Sequence, residues 1–241
     1  MRTPSKRSPL LLLGVFAFLV CVSPPSLQAW QFDQGTLRPV SLNGSFKAFP
    51  SSSHADFNQD GQAERIDLSD YQVSIYAHSE FSIPLWSSPE DWQVQQALIA
   101  DLNHDNQPEL VLLIWRPFQP WPIDSFLPHG GRIETHQNRA GMSCHLVLIG
   151  WRSGQFVESW AGSALARPLG SIAAADLDGD GKQELITLES RYNDPGFQPA
   201  RSMAVWRWNG FGFDLLARRE GSYHSLAVVT SAQQTTLLLT Q

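Results

Sequence analysis

Residues Ser171 to Leu188 read SIAAADLDGDGKQELITL, and the fold of the whole chain turns on how this stretch is understood. A run of small apolar residues enters an acidic loop, Asp176-Leu177-Asp178-Gly179-Asp180-Gly181-Lys182-Gln183-Glu184, and an apolar segment leaves it. The loop has the form D-x-D-x-D-G-x-x-E. It offers the side-chain oxygens of Asp176, Asp178, Asp180 and Glu184 and the backbone carbonyl of Lys182. So many carboxylates in so short a segment repel one another unless a cation sits among them. A hard ion taking roughly six to eight oxygen ligands in flexible geometry suits such a set, which favours calcium over magnesium. Gly181 supplies the sharp turn that lets the chain curl back.

The pattern recurs. Asp56, Asn58, Asp60, Gln62 and Glu64 stand at the same five positions of an earlier loop, and Asp101, Asn103, Asp105, Gln107 and Glu109 at those of another. As with Lys182, Gln62 and Gln107 would contribute their backbone carbonyls. Asn106 takes the place of the turn glycine in the second copy, a mild change because Asn tolerates a left-handed backbone. Three such loops, each flanked by strand-like apolar residues, make an internal repeat with up to three Ca²⁺ sites. The plainer reading, three polar turns, leaves the carboxylate spacing unaccounted for.

The first 29 residues stand apart. Arg2, Lys6 and Arg7 precede a continuous apolar run from Leu10 to Val22, and Leu27-Gln28-Ala29 offers a small-residue cleavage site. This is the pattern of a secretory signal peptide, and a helix of that run is too short for a bilayer core of about 30 Å. The expected location is therefore secreted, periplasmic or cell-surface, with no membrane span after cleavage. Phe18-Leu19-Val20 ahead of Cys21 is too bulky for an ordinary lipidation signal. Removing the leader takes the net charge from −6 to −9, and 10 of the 23 acidic residues lie in the three loops. The acidity is thus largely local site charge and argues against nucleic acid as a partner. Cys144 alone then remains, so no intrachain disulfide is possible, and cations take over the stapling role.

Between the loops the chain reads as short strands and turns, with no sustained helical period. Trp30 to Leu42 is expected to form a hairpin. Ser45 to Phe49 is expected to feed the first loop, and further hairpins turn at Arg152-Ser153-Gly154 and Asn209-Gly210. Ser225 to Val229 and Leu237 to Leu239 repeat the strands around Asp176 without its carboxylates. The second and third loops begin 75 residues apart against 45 for the first two, and the excess falls in a Pro-rich insertion at 116–144. Residues 30–241 are otherwise a single domain.

The three Dx[DN]xD loops, the strand after each, and aromatic turns such as Trp206-Arg207-Trp208-Asn209-Gly210 resemble the FG-GAP/VCBS-type repeats of integrin-α-like β-propellers. The resemblance covers roughly residues 45–115 and 145–239. It implies an all-β fold of four-stranded blades, each metal loop joining the innermost strand to the next, with Ala173-Ala174-Ala175 on an inner strand. Four blades are expected, the last completed by the N-terminal hairpin and the C-terminal strands; a five-bladed or incomplete ring is the alternative. The insertion and the Tyr192–Arg201 connection should emerge opposite the acidic loops, on the face that binds ligands in many propellers.

Trp121, His129, His136 and Tyr192 are the candidates on that face, with a protein or glycan as the expected ligand. Trp121, set between prolines, suits stacking on a sugar ring or anchoring a partner; pinning its loop to the core is the alternative. Asp124 and Glu134 offer a carboxylate pair for a polysaccharide hydrolase or lyase. His129, His136 and Cys144 match no familiar transition-metal spacing. Cys144 beside His145 invites a nucleophile reading, against which stands the common fate of a lone cysteine, burial in a core. No assembled catalytic set is legible, and a binding module is the reading favoured over an enzyme.

Overall fold

The computed structural model describes residues 26–41, 46–48, 53–78, 83–119, 135–194, 198–231 and 236–241. Every regular element among them is a strand. β1 (Gln28–Asp33) and β2 (Thr36–Val40) form the N-terminal hairpin, and β3 (Phe46–Ala48) follows. β4 (His54–Ala55), β5 (Glu64–Ser69), β6 (Gln72–Tyr76) and β7 (Trp86–Ser87) make a first antiparallel sheet. β8 (Gln93–Ala100), β9 (Glu109–Pro117), β10 (Met142–Arg152) and β11 (Gln155–Ala161) make a second. β12 (Leu169–Ala175), β13 (Glu184–Glu189), β14 (Ala200–Trp208) and β15 (Phe213–Tyr223) make a third. β16 (Leu226–Ser231) and β17 (Thr236–Thr240) join the N-terminal strands in a fourth, five-stranded sheet ordered β2-β1-β17-β16-β3. Among the described residues no helix is long and apolar enough to cross a membrane.

The fourth sheet unites the two ends of the chain, as the sequence led us to expect. β1 lies antiparallel to β17, with Gln28 opposite Thr240 and Trp30 opposite Leu238. Gln28 and Ala29, the last residues of the expected leader, are already within β1. One expectation fails. Of the Ser45 to Phe49 stretch expected to feed the first loop, the described part, β3, pairs instead with β16, Ala48 facing Val229. The strand entering the loop is the two-residue β4, whose Ala55 faces Glu64.

Three apolar cores lie between successive sheets. Val73 and Ile75 of the first sheet pack with Leu110, Leu112 and Ile114 of the second. Val111, Leu113 and Leu146 of the second pack with Ile172 and Leu185 of the third. Ile186, Leu188 and Met203 of the third pack with Trp30, Val228 and Leu238 of the fourth. β9 therefore turns alternate side chains to two different cores. All of Glu109 to Ile114 is buried, which explains why it reads as a continuous apolar run rather than an alternating one.

Strand direction fixes which connections share an end. β9 leaves the second acidic loop at Glu109 and pairs at its far end with the start of β10, Pro117 opposite Met142. β13 leaves the third loop at Glu184 and ends at Glu189, opposite Ser202 of β14. Both roots of the 116–144 insertion, and Tyr192, thus lie at the end away from the acidic loops.

Candidate metal centres

Each acidic loop joins the first strand of a sheet to the second, and all three have one backbone form. The fourth and sixth positions are left-handed in every copy: Gln59 and Gly61 (φ 61° and 87°), His104 and Asn106 (62° and 66°), Gly179 and Gly181 (80° and 83°). Asn106 fills the place of the turn glycine because its short polar side chain tolerates this region. The opening aspartate accepts backbone N–H groups from across the turn. Asp56 takes those of Asp60 and Gly61, Asp101 those of Asp105 and Asn106, and Asp176 those of Gly179 and Gly181. The fifth-position carboxylate of Asp60, Asp105 or Asp180 accepts the N–H of Gln62, Gln107 or Lys182.

The closing glutamate anchors the loop from below. Glu64, Glu109 and Glu184 are all buried, and each accepts the N–H of the second loop residue at 2.9, 3.2 and 2.9 Å. That second residue is Phe57, Leu102 or Leu177, and its side chain is buried in the core leading to the next sheet. Loop and inter-sheet core are therefore built from the same residues. Neighbouring loops also touch. Gln59 Nε2 donates to Asn106 O at 3.4 Å, Asp101 N–H donates to Gln183 Oε1 at 2.9 Å, and His104 Nε2 lies 3.1 Å from Gln183 O. The three loops lie side by side at one end of the sheets.

In every loop a positive or partly positive group stands between the carboxylates. Asn58 Nδ2 donates to Asp60 and Glu64, and Asn103 Nδ2 to Asp105 and Glu109. In the third loop the part falls to Arg207 of β14, whose Nη2 donates to Asp178 and Glu184 and lies 3.8 Å from Asp180. Arg152 Nη2 reaches Asp105 in the second loop at 2.9 Å. The carboxylates thus focus negative potential on one point per loop. Burial, then the neighbouring Asp105, pushes the carboxyl of Glu109 up to about 7. Glu64 and Glu184 are raised from the same leading cause. A divalent cation at that point would hold all three ionised.

Among the described residues two carboxylate trios converge with oxygens within 4.8 Å of one another: Asp101, Asp105, Glu109, and Asp176, Asp178, Glu184. The corresponding trio of the first loop, Asp56, Asp60 and Glu64, is not one of them. The donor set is all oxygen apart from the Asn amides, which fits a hard cation. Asp101, Asp105, Glu109 and the Gln107 carbonyl would hold it in the second loop; Asp176, Asp178, Asp180, Glu184 and the Lys182 carbonyl would hold it in the third. The side chains of Gln62, Gln107 and Lys182 take no part.

Trp121, His129, Asp124 and Glu134 lie outside the described residues. His136 Nδ1 lies 3.3 Å from Ala164 O. The Tyr192 hydroxyl donates to Leu165 O at 2.7 Å and accepts the Cys144 N–H at 3.2 Å, its ring edge-on to Trp115. Cys144 is fully buried, and burial pushes its thiol up to about 12, which leaves it protonated. His145 points away from that sulfur. Its ring nitrogens face Ser143 Oγ at 2.8 Å and Gly162 O at 3.0 Å, and both Ser143 and His145 are buried. A serine and a histidine at bonding distance, sealed in this way, form a structural pair.

Sequence reasoning passed over Arg207, Arg152 and the second-position plugs Phe57, Leu102 and Leu177. The plugs were legible, since an apolar residue recurs after each opening aspartate. The arginines were not, because they arrive from other strands. No family model, curated protein or solved structure matches this chain.

Proposed function

We propose that this protein is a calcium-stabilised β-propeller of the FG-GAP/VCBS type, with four blades, working outside the cytoplasm as a binding module. Its ligand, a protein or a glycan, would meet the end that carries the insertion. One observation carries the calcium reading: three loops distant in sequence share the same left-handed pair and the same buried glutamate, and in the second and third the carboxylates converge on a single point. The ring reading is supported by three cores stacked in chain order and by a fourth sheet made from both chain ends. Closure in a ring would protect the sheets from open-edge pairing.

Elemental analysis and calcium titration of the purified domain test the first part. Two or three calcium ions per chain, and a melting temperature lowered by chelator and restored by calcium, are expected. No bound metal and no thermal response to chelator would overturn it. For the second part, glycan and extracellular-protein arrays are probed with the wild type and with Trp121→Ala. Binding without turnover supports a module. Depolymerisation of a polysaccharide, lost in Asp124→Asn or Glu134→Gln, would replace that reading with the hydrolase or lyase.

A further inference from the structure

The repeat supplies its own control for a second site. Counting from the closing glutamate of each loop, Leu112 and Ile114 of β9 correspond to Thr187 and Glu189 of β13. In the second sheet these positions are apolar and sealed against the first sheet. In the third they are polar, buried, and line a cavity of about 620 Å³ facing the second sheet. Burying a carboxylate in place of an isoleucine is costly unless it is fully partnered. Glu189 is partnered: Ser202 Oγ donates to it at 2.8 Å, Arg218 Nε and Nη2 at 2.8 and 2.9 Å, and Arg167 Nη1 at 3.3 Å. The carboxylate therefore holds two guanidinium groups at one end of the cavity.

Most of the remaining wall is apolar, with His136 and Ser163 as its further polar residues. Trp160, Trp206, Phe213, Leu146 and Leu185 line it, and the Trp206 indole is held by a hydrogen bond to Thr187 Oγ1 at 3.0 Å. The volume lies in the range of small-molecule sites, roughly 300–1,000 Å³, and an apolar body with a few convergent polar groups is the usual make-up of one. Arg167, Arg218 and Glu189 leave the lining with a formal charge of +1 inside a chain whose net charge is −6. Arg167 is 42% exposed, and its second carboxylate partner at 3.3 Å is Glu220, itself 67% exposed and easily displaced. The guanidinium fork favours a planar carboxylate over a neutral hydroxyl.

From this we infer that the cleft between the second and third sheets binds a small amphipathic carboxylate, its apolar body against Trp160, Trp206 and Phe213 and its head on Arg167. The site is independent of the acidic loops.

The test is titration of the full chain with decanoate and with decan-1-ol, followed by calorimetry and tryptophan emission. Saturable one-to-one binding of decanoate, at least about tenfold tighter than the alcohol, is the expected result. Arg167→Gln should bring the two ligands to equal affinity. Glu220→Gln, which removes the exposed one of Arg167's two carboxylate partners and leaves Glu189 and Ser202 in place, should tighten decanoate several-fold and leave the alcohol unchanged. Ala166→Trp, an exposed change on the cavity wall, should abolish binding while the melting curve keeps its wild-type shape. Equal affinities for acid and alcohol in the wild type, or no saturable binding of decanoate, would overturn the assignment. So would displacement of decanoate by cellohexaose or chitohexaose, which would make the cleft a sugar site.

Discussion

Trp30 and Thr240, 210 residues apart, are joined by a buried hydrogen bond from the indole Nε1 to the threonine Oγ1 at 2.9 Å. It lies at the seam where β1 meets β17, and the Trp30 ring packs edge-on against Tyr223 of the third sheet. The seam has no covalent staple, because the chain after the expected leader holds a single cysteine. Thr240→Val removes the acceptor and keeps the shape, so it should cost about 1–2 kcal/mol by urea unfolding. Trp30→Ala should cost about 3–5 kcal/mol, since it also empties a core position. A loss below about 0.5 kcal/mol for Trp30→Ala would show that the seam contributes little to the folded state.

Arg207 places a fixed positive charge where the third loop would hold its cation, so it should act in opposite directions with and without metal. In chelator, Arg207→Gln should destabilise the protein by about 1 kcal/mol, a modest figure because the side chain is a third exposed. In calcium the same variant should bind the ion several-fold more tightly at this loop, since no guanidinium competes for Asp178 and Glu184. Paired melting curves and calcium titrations of the variant check both signs. A weaker calcium response in the variant would mean that the arginine assists the site.

Gln183 ties the second loop to the third through its side-chain oxygen on the Asp101 N–H and its backbone oxygen near His104. Ordering one loop around a cation should therefore help to order the other. Gln183→Ala leaves every candidate ligand in place and cuts the side-chain half of the link. We expect the calcium isotherm to become shallower, with the first and second binding steps drawn apart. An unchanged isotherm would show that the loops fill independently.

The acidic loops and the four-sheet plan could be read from the sequence because both are local or repeated. Carboxylate spacing around Asp101 and Asp176 is set within nine residues, and the apolar strands after them have no other comfortable environment. The joining of Trp30 to the C-terminal strands was what the resemblance to propeller repeats implied, once three full blades had been counted. What escaped the sequence depends on contacts between segments distant along the chain. Nothing near Phe46 shows that it leaves its expected sheet for β16; that depends on which edge is open. Nothing near Arg207 shows that it reaches across to Glu184. Thr187 and Glu189 read as ordinary polar interruptions of a strand until the register sets them opposite a cavity and Arg218.

His145 gives the chain a pH dependence whose sign follows from its surroundings. Burial holds its imidazole well below the usual histidine range, at about 4, with the backbone carbonyl of Gly162 pulling the other way and Arg116 adding a small further depression. The unfolded chain takes up this proton near pH 6.5 and the folded chain only near 4, so between those values the unfolded state binds more protons. Stability from this group is complete above pH 6.5 and is lost as pH falls toward 4. The full loss is on the order of 3 kcal/mol, the cost of moving the imidazole from its ordinary value to about 4. His145→Gln keeps a polar side chain between Ser143 and Gly162 and removes the titration, so its stability relative to wild type should improve steadily from pH 7 to pH 4. Urea unfolding at half-unit intervals in chelator, which silences any contribution from cations, measures this difference directly. A constant offset between the two proteins across that range would mean that the imidazole protonates as readily folded as unfolded, and that its burial against Ser143 carries no electrostatic cost.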